Sequence, residues 1–207
     1  MESNNNNQIL LLTKAIEFAS EKHRKQKRKN LDSDPYINHP IGVAHLISSI
    51  GKVTDVNVLC GAYLHDTVED TDTTIEEINI EFGNKIREIV QDVTDNKKLS
   101  KVERKKNQIQ RASYKCKEAK IVKLGDTLHN LLSLLNDAPL NWSIDRIQGY
   151  FVWSKFVVQE LKGTNSELED ALDKIFSSKF KYKDNEYPCL PNKSLDVALE
   201  DYYKLLE

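Results

Sequence analysis

The chain has 207 residues, 39% hydrophobic and 30% charged, with Lys+Arg 30 against Asp+Glu 32. That length fits one ordinary domain with a small appendage, and the composition supports a packed core under a soluble surface. The near balance of charge excludes a polyelectrolyte, so any basic partner site must be a local patch. The N-terminus, "MESNNNNQILLL", carries an acid and an asparagine run where a signal peptide has positive charge. No apolar run approaches the ~20 residues of a spanning helix, so no membrane partner is expected. Cys60, Cys116 and Cys189 are far apart and form no C-x-x-C. They argue against a disulfide framework and for a reducing, cytoplasmic setting.

With only 7 glycines and 5 prolines, helical periodicity recurs along the chain. Residues 9–28 are expected to form a first helix, with Leu12, Ile16, Ala19 and His23 on one stripe. In "PYINHPIGVAHLI", His39 precedes Pro40, and proline favours the first helical position, so His39 is expected at a helix start and aimed off its end.

The stretch "YLHDTVEDTDTT" packs His65 with Asp66, Glu69, Asp70 and Asp72. On one helix over 58–70, Val58, Ala62, His65 and Glu69 share a stripe, and Asp66 lies near Asp70. The bland reading is a satisfied core histidine beside acids that solvate a helix end. Against it, shielded carboxylates are costly unless paired, and no Lys or Arg occurs between 53 and 84. A divalent cation is the simplest source of positive charge.

"TDTTIEE" offers two overlapping capping boxes, Thr73 with Glu76 and Thr74 with Glu77. The helical pattern after it carries Ile75, Ile78, Phe82, Ile86, Ile89 and Val93. "AKIVKLGDTLHNLLSLL" is a strong helix with Ile121, Leu124, Leu128, Leu131 and Leu135 on one face and Asp126 with Asn130 on the other. Ser143 caps a helix that Gly163 stops, and "NSELEDALDKIF" forms another with Leu168, Leu172 and Ile175 inward. No segment alternates strictly enough for a half-buried strand. These elements predict an all-α domain over 8–178. The remainder, 179–207, is expected to be a loop, "KFKYKDNEYPCLPNKS", followed by a short amphipathic helix.

Two imidazoles (His39, His65) with two carboxylates (Asp66, Asp126) form a mixed N/O donor set. It suits Mn, Fe, Co or Zn better than Ca and leaves positions for water or substrate. Two basic runs, "KHRKQKRK" (22–29) and "NKKLSKVERKK" (96–106), supply charge for an anionic ligand. Each alone reads as a solvated helix end. No aromatic residues interleave with the lysines to stack bases, so a nucleic-acid partner is not expected.

The order H…HD…D, with "HDTVEDT" and "KLGDTLHNL", resembles the HD superfamily of metal-dependent phosphohydrolases. With "PYINHPIGVAHLI" and "FGNKIREIVQDVTDNKKLSKVERKKNQI" included, the chain is similar to the hydrolase domain of the RelA/SpoT family, in its stand-alone animal-type branch. The resemblance implies an all-helical HD-domain bundle with one Mn²⁺ among its central helices. It implies hydrolysis of the 3′-pyrophosphate of guanosine tetraphosphate (ppGpp) to GDP and pyrophosphate, with NADPH 2′-phosphatase activity as the alternative. A nucleotide-binding sensor without turnover is the non-enzyme alternative.

The metal ligands so implied are His39, His65, Asp66 and Asp126, and the catalytic acids Glu69 and Asp70. The nucleotide-contacting positions fall on Arg28, Lys29, Tyr36, Lys97, Lys101, Arg104 and Asn130. The chain departs from the family's pattern at Thr127 and Leu132, where basic residues are usual. It departs again at Gly125, where alanine is usual and glycine costs about 1 kcal/mol of helix propensity.

Overall fold

The computed structural model describes residues 2–28, 33–139 and 141–207. In chain order the elements begin with α1 (Glu2–Lys22), α2 (Asn38–Ser49), α3 (Val56–Leu64), α4 (Thr67–Asp70), α5 (Ile75–Phe82) and α6 (Asn84–Val93). There follow α7 (Lys101–Ala112), α8 (Lys117–Asn136), α9 (Ile144–Glu160), α10 (Ser166–Phe176), the strands β1 (Lys179–Tyr182) and β2 (Asn185–Pro188), and α11 (Leu195–Lys204). The expected all-α class holds, and the hairpin is an addition to it.

α8 forms the centre. It packs against α2, α3, α6, α9 and α10. Buried residues lie on nearly every side of it, including Val122, Leu124, Asp126, Leu128 and Leu131. Because Leu124 and Leu128 occupy the apolar core, Asp126 is enclosed from the other side by α2 and α3 rather than by solvent. A smaller cluster joins Ala15 and Ala19 of α1 to Cys60, Leu64, Ile78 and Ile86.

Local chemistry sets the element ends. Asp55 caps α3 by accepting the N–H groups of Asn57 and Val58. Of the two overlapping boxes, Thr74 takes the cap of α5 by accepting from Glu77 N–H, while Thr73 bonds Thr71. The Glu77 carboxylate does not close the box. It pairs instead with Lys22 at 3.0 Å. Gly83, at φ +83°, ends α5 and opens α6, a conformation other residues reach only with strain. Ser143 caps α9 as expected, and Gly163 lies just beyond its end at φ +82°.

Four expectations are corrected. The first helix ends at Lys22, so His23 to Lys25 form a turn and Gln26 to Arg28 an extended strip in which Lys27 bridges to Pro35. Pro40 stands at the third position of α2, not the first, where its missing N–H is still among those without an intrahelical acceptor. The helix expected over 58–70 is broken at His65–Asp66, where Thr67 Oγ1 caps back onto Leu64 O. The segment read as a loop after 178 is an antiparallel hairpin, with Lys179 opposite Pro188 and Lys183 at φ +54° in its turn. Its short strands bury chiefly Phe180, too few alternations for a period-two signal. The segment docks on the domain: α11 packs on α9, and Phe180 stacks near Phe151.

Gly125 has a packing reason. A Cβ there would lie 2.5 Å from Ile47 Cγ1, so glycine permits the close approach of α2 and α8. Thr127 is buried and donates to Lys123 O, and Leu132 packs against the core, so neither occupies an anion-facing place.

Candidate active site

Three elements aim side chains at one point. The start of α2 presents His39, the break between α3 and α4 presents His65 and Asp66, and the middle of α8 presents Asp126. Ligand atoms of His39, His65 and Asp126 all lie within 4.8 Å of one another, and all three residues are buried. His39 Nε2 is 3.3 Å from Asp126 Oδ1 and 3.6 Å from Asp66 Oδ2. His65 Nε2 is 3.0 Å from Asp66 Oδ2 and 3.9 Å from Asp126 Oδ1. The kink brings Asp66 into this group, which a straight helix would have turned about 100° away from His65.

The imidazoles are oriented from behind. His65 Nδ1 lies 2.8 Å from Ala62 O and donates to it, which leaves Nε2 facing the cluster. That Nε2 is buried and, although Asp66 Oδ2 is 3.0 Å away, makes no hydrogen bond of good geometry among the described residues. His39 Nδ1 lies 2.9 Å from His129 Nδ1. Gly42 makes room for the His129 ring, since a Cβ at that position would overlap it. Backing of this kind fixes which nitrogen of a ligand histidine is free. Tyr36 donates to Asp66 Oδ2 at 2.6 Å, Asn130 donates to Asp126 Oδ1 at 2.6 Å, and Lys123 donates to Asp126 Oδ2 at 2.9 Å.

An orphaned, buried imidazole nitrogen facing two carboxylates and a second imidazole fits a divalent cation. Without one, the site holds a proton instead. Burial opposes charge on His65, but Asp66 and Asp126 outweigh it and raise its pKa to about 9. Burial also acts against ionisation of Asp66, yet His65 and His39 hold its carboxyl far below the usual range. Burial lowers the pKa of His39, and burial and His39 lower that of His129 to about 4, so the His129 ring is neutral.

Glu69 behaves in the opposite way. Burial, then the carboxylates of Asp95 and Asp66, push its pKa up to about 7. It accepts Asp95 N–H at 3.2 Å and lies 3.4 Å from Arg104. Asp70 is bound by Lys97 at 2.8 Å and by Gln26 at 2.9 Å. A divalent cation is the simplest expected source of positive charge, and side chains supply part of it. Lys97 and Arg104 come from beyond α6 to pair with Asp70 and Glu69, and Lys123 pairs with Asp126 from one turn earlier on α8.

Two cavities meet here. One of about 190 Å³ is lined by His39, His65, Asp66, Glu69, Lys105, Lys123, Asp126 and Trp153, among others. The second, of about 590 Å³, is lined by Arg28, Asn130, Ser133, Trp142 and His129. Tyr36, His39, Asp70, Asn130 and Tyr150 line both. Arg28 donates to Asn130 Oδ1 at 3.3 Å.

Of the remaining predicted contacts, Lys101 is exposed at the start of α7 and lines neither cavity. Lys29 lies outside the described residues. Lys22 and Arg24 of the first basic run pair with acids away from the cavities. The sequence reading missed Lys105, Lys123, His129, Tyr150 and Trp153. Only Lys123 carried a signal, three residues before Asp126 on the same side of a helix.

Such a histidine–carboxylate centre among helices defines the class of HD-type metal-dependent hydrolases. A family model described as HD domain matches residues 15–146. The mouse guanosine-3′,5′-bis(diphosphate) 3′-pyrophosphohydrolase MESH1 is 48% identical over 168 residues, covering 81% of this chain and 94% of its own. The Xenopus tropicalis MESH1 is 51% identical, covering 80% and 93%. A solved structure of a metazoan SpoT orthologue, described as hydrolysing ppGpp, superposes with a TM-score of 0.79 at 43% identity, covering 80% of this chain and 93% of that one. The chain belongs to the HD-domain family, and within it to the branch of the MESH1 pyrophosphohydrolases.

Proposed function

We propose that the chain hydrolyses the 3′-pyrophosphate of ppGpp, using a divalent cation held by His39, His65, Asp66 and Asp126. Manganese is the cation we assign, and a reducing, cytoplasmic setting is the location we assign, in keeping with three free cysteines. The observation that carries the reading is the convergence of those four side chains beside Glu69, in a small cavity that opens onto a larger one. The MESH1 relatives carry this activity in their names, which supports the reading.

When bound, the cation offsets charge on a phosphoryl oxygen and lowers the pKa of water. The chain's own residues do the rest. The nucleotide occupies the larger cavity, where the Arg28 guanidinium can hold a phosphate in bidentate fashion. Incoming phosphates compete with Glu69 and Asp70 for Arg104 and Lys97, so binding frees the two carboxylates as it fixes the anion. Glu69 takes a proton from the attacking water, as its shielded carboxyl holds protons more tightly than an ordinary glutamate does. Asp70, one residue on, orients that water. Water attacks the phosphorus bonded to the 3′ oxygen, the P–O3′ bond breaks, and the 3′ oxygen leaves as a hydroxyl with a proton taken from solvent water, while Glu69 returns its proton to solvent.

The test offers Mn²⁺-loaded protein ppGpp and NADPH side by side. Release of pyrophosphate from ppGpp at the higher kcat/KM supports the reading. Faster release of phosphate from NADPH would assign the 2′-phosphatase activity instead. Tight ppGpp binding without product would make the protein a sensor.

A further inference from the structure

Among the described residues, the cations nearest the proposed catalytic acids and ligands mostly answer a carboxylate. Lys123 holds Asp126, Arg104 holds Glu69 and Lys97 holds Asp70. Lys105 of α7 lines the same small cavity as His39, His65, Glu69 and Asp126, yet it makes no ion pair with any described carboxylate. Its Nζ lies 3.1 Å from the centre of the Trp153 ring and 4.6 Å from that of Tyr150. Trp153 Nε1 donates to Lys105 O at 3.0 Å, so the aromatic floor is tied to the backbone of the residue it supports.

A structural lysine usually takes an acid partner or runs out to bulk water. This one has no acid partner among the described residues, and its half-buried side chain ends at the cavity wall. Its ammonium is held over aromatic faces, at the wall of a cavity whose other cations are already engaged. Such a charge lacks only an anion. The cavity's shared border with the larger one lets a nucleotide seated there project a phosphate toward it.

We propose that Lys105 donates hydrogen bonds to the pyrophosphoryl group that is transferred to water, from the wall of the cavity it shares with His39 and His65. The proposal rests on the phosphohydrolase reading above. Its role differs from that of Arg28: it serves the reacting end, whereas Arg28 serves the nucleotide body. Burial and the neighbouring Lys123 disfavour its charge while no anion is present, a cost that a bound phosphate offsets.

The test uses inorganic pyrophosphate as the probe, on Mn²⁺-loaded protein at buffered free Mn²⁺. Lys105→Met keeps the stem on Trp153 and removes the charge. We expect it to bind pyrophosphate about 10- to 100-fold more weakly, the range a charge-assisted hydrogen bond supplies. Metal content and competitive inhibition by guanosine, which lacks the phosphates, should be unchanged, and Lys105→Arg should recover part of the loss. Equal pyrophosphate affinity in wild type and Lys105→Met would overturn the proposal, as would loss of the metal from the variant.

Should the variant fail to fold, the wild type decides. Pyrophosphate must slow acylation of the Lys105 amine at least tenfold, read by mass spectrometry, and no protection would sink the idea. Because both readouts are binding measurements, they stand apart from the substrate assay. Hydrolysis of ppGpp with unaltered pyrophosphate binding would defeat Lys105 alone. Lys105-dependent binding without hydrolysis would defeat the substrate assignment alone.

Discussion

Asp66 and Glu69 stand three residues apart, and both are largely shielded from water, but they face different company. Asp66 looks onto two imidazoles and accepts the Tyr36 hydroxyl, and its carboxyl is held ionised. Glu69 looks onto Asp95 and Asp66, with Arg104 at 3.4 Å, and its carboxyl is pushed up to about 7. Burial disfavours charge on both, so the neighbours decide the outcome. On the proposed reading, one wall of the cavity holds a cation and the other exchanges a proton near neutral pH. Two carboxyl groups with separated affinities are what a metal-assisted hydrolysis needs.

The sharpest way to break this contrast is to remove the cation wall. Asp126→Ala should abolish turnover together with metal retention, because Lys123, His39 and Asn130 all lose their shared acceptor. Normal turnover in that variant would show that the wall does not hold the cation. Removing the proton wall comes next. Glu69→Gln should lower kcat by about 10²–10⁴-fold with metal content intact. In the wild type, kcat/KM should rise with pH through an apparent pKa at or below 7, as the Glu69 base form appears and as a bound cation draws its pKa down. That limb should vanish in Glu69→Gln, and its persistence would assign the base elsewhere.

A smaller effect sharpens the cation side. His129→Phe removes the partner of His39 Nδ1, and should weaken metal affinity or activity about 10–100-fold. Unchanged affinity would reduce His129 to packing against Gly42. The smallest effect concerns the scaffold. Gly125→Ala gains about 1 kcal/mol of helix propensity but drives a Cβ into Ile47 near its branch point. Overpacking of this kind costs about 1–3 kcal/mol, so the net change should be a loss of about 1 kcal/mol in denaturant unfolding. A gain would mean that α2 can yield.

What was legible in the sequence follows from how side chains are addressed along it. Helix periodicity and caps identified the helices around Leu168, Ser143 and Thr74, and the four donors were named before their elements met. The kink at His65–Asp66 was not legible, because the backbone hydrogen bonds that end α3 depend on Thr67 turning back to Leu64. Nor were the acid partners of the cations. Lys97, Arg104 and Lys105 lie in one basic run expected to serve an anionic ligand, and only the fold separates one that neutralises Asp70, one that neutralises Glu69 and one that faces Trp153. The hairpin escaped because Phe180 alone is deeply buried along its two strands.

The central claim is that a single divalent cation replaces the proton that His65 otherwise carries. Calorimetric titration of the metal-free protein with Mn²⁺ between pH 6 and 9 tests it most directly. The account predicts one site per chain whose affinity rises about tenfold per pH unit below about 9, as the proton on His65 becomes easier to displace. In His65→Ala that site should be gone. An affinity that is flat across this range and equal in His65→Ala would contradict the account.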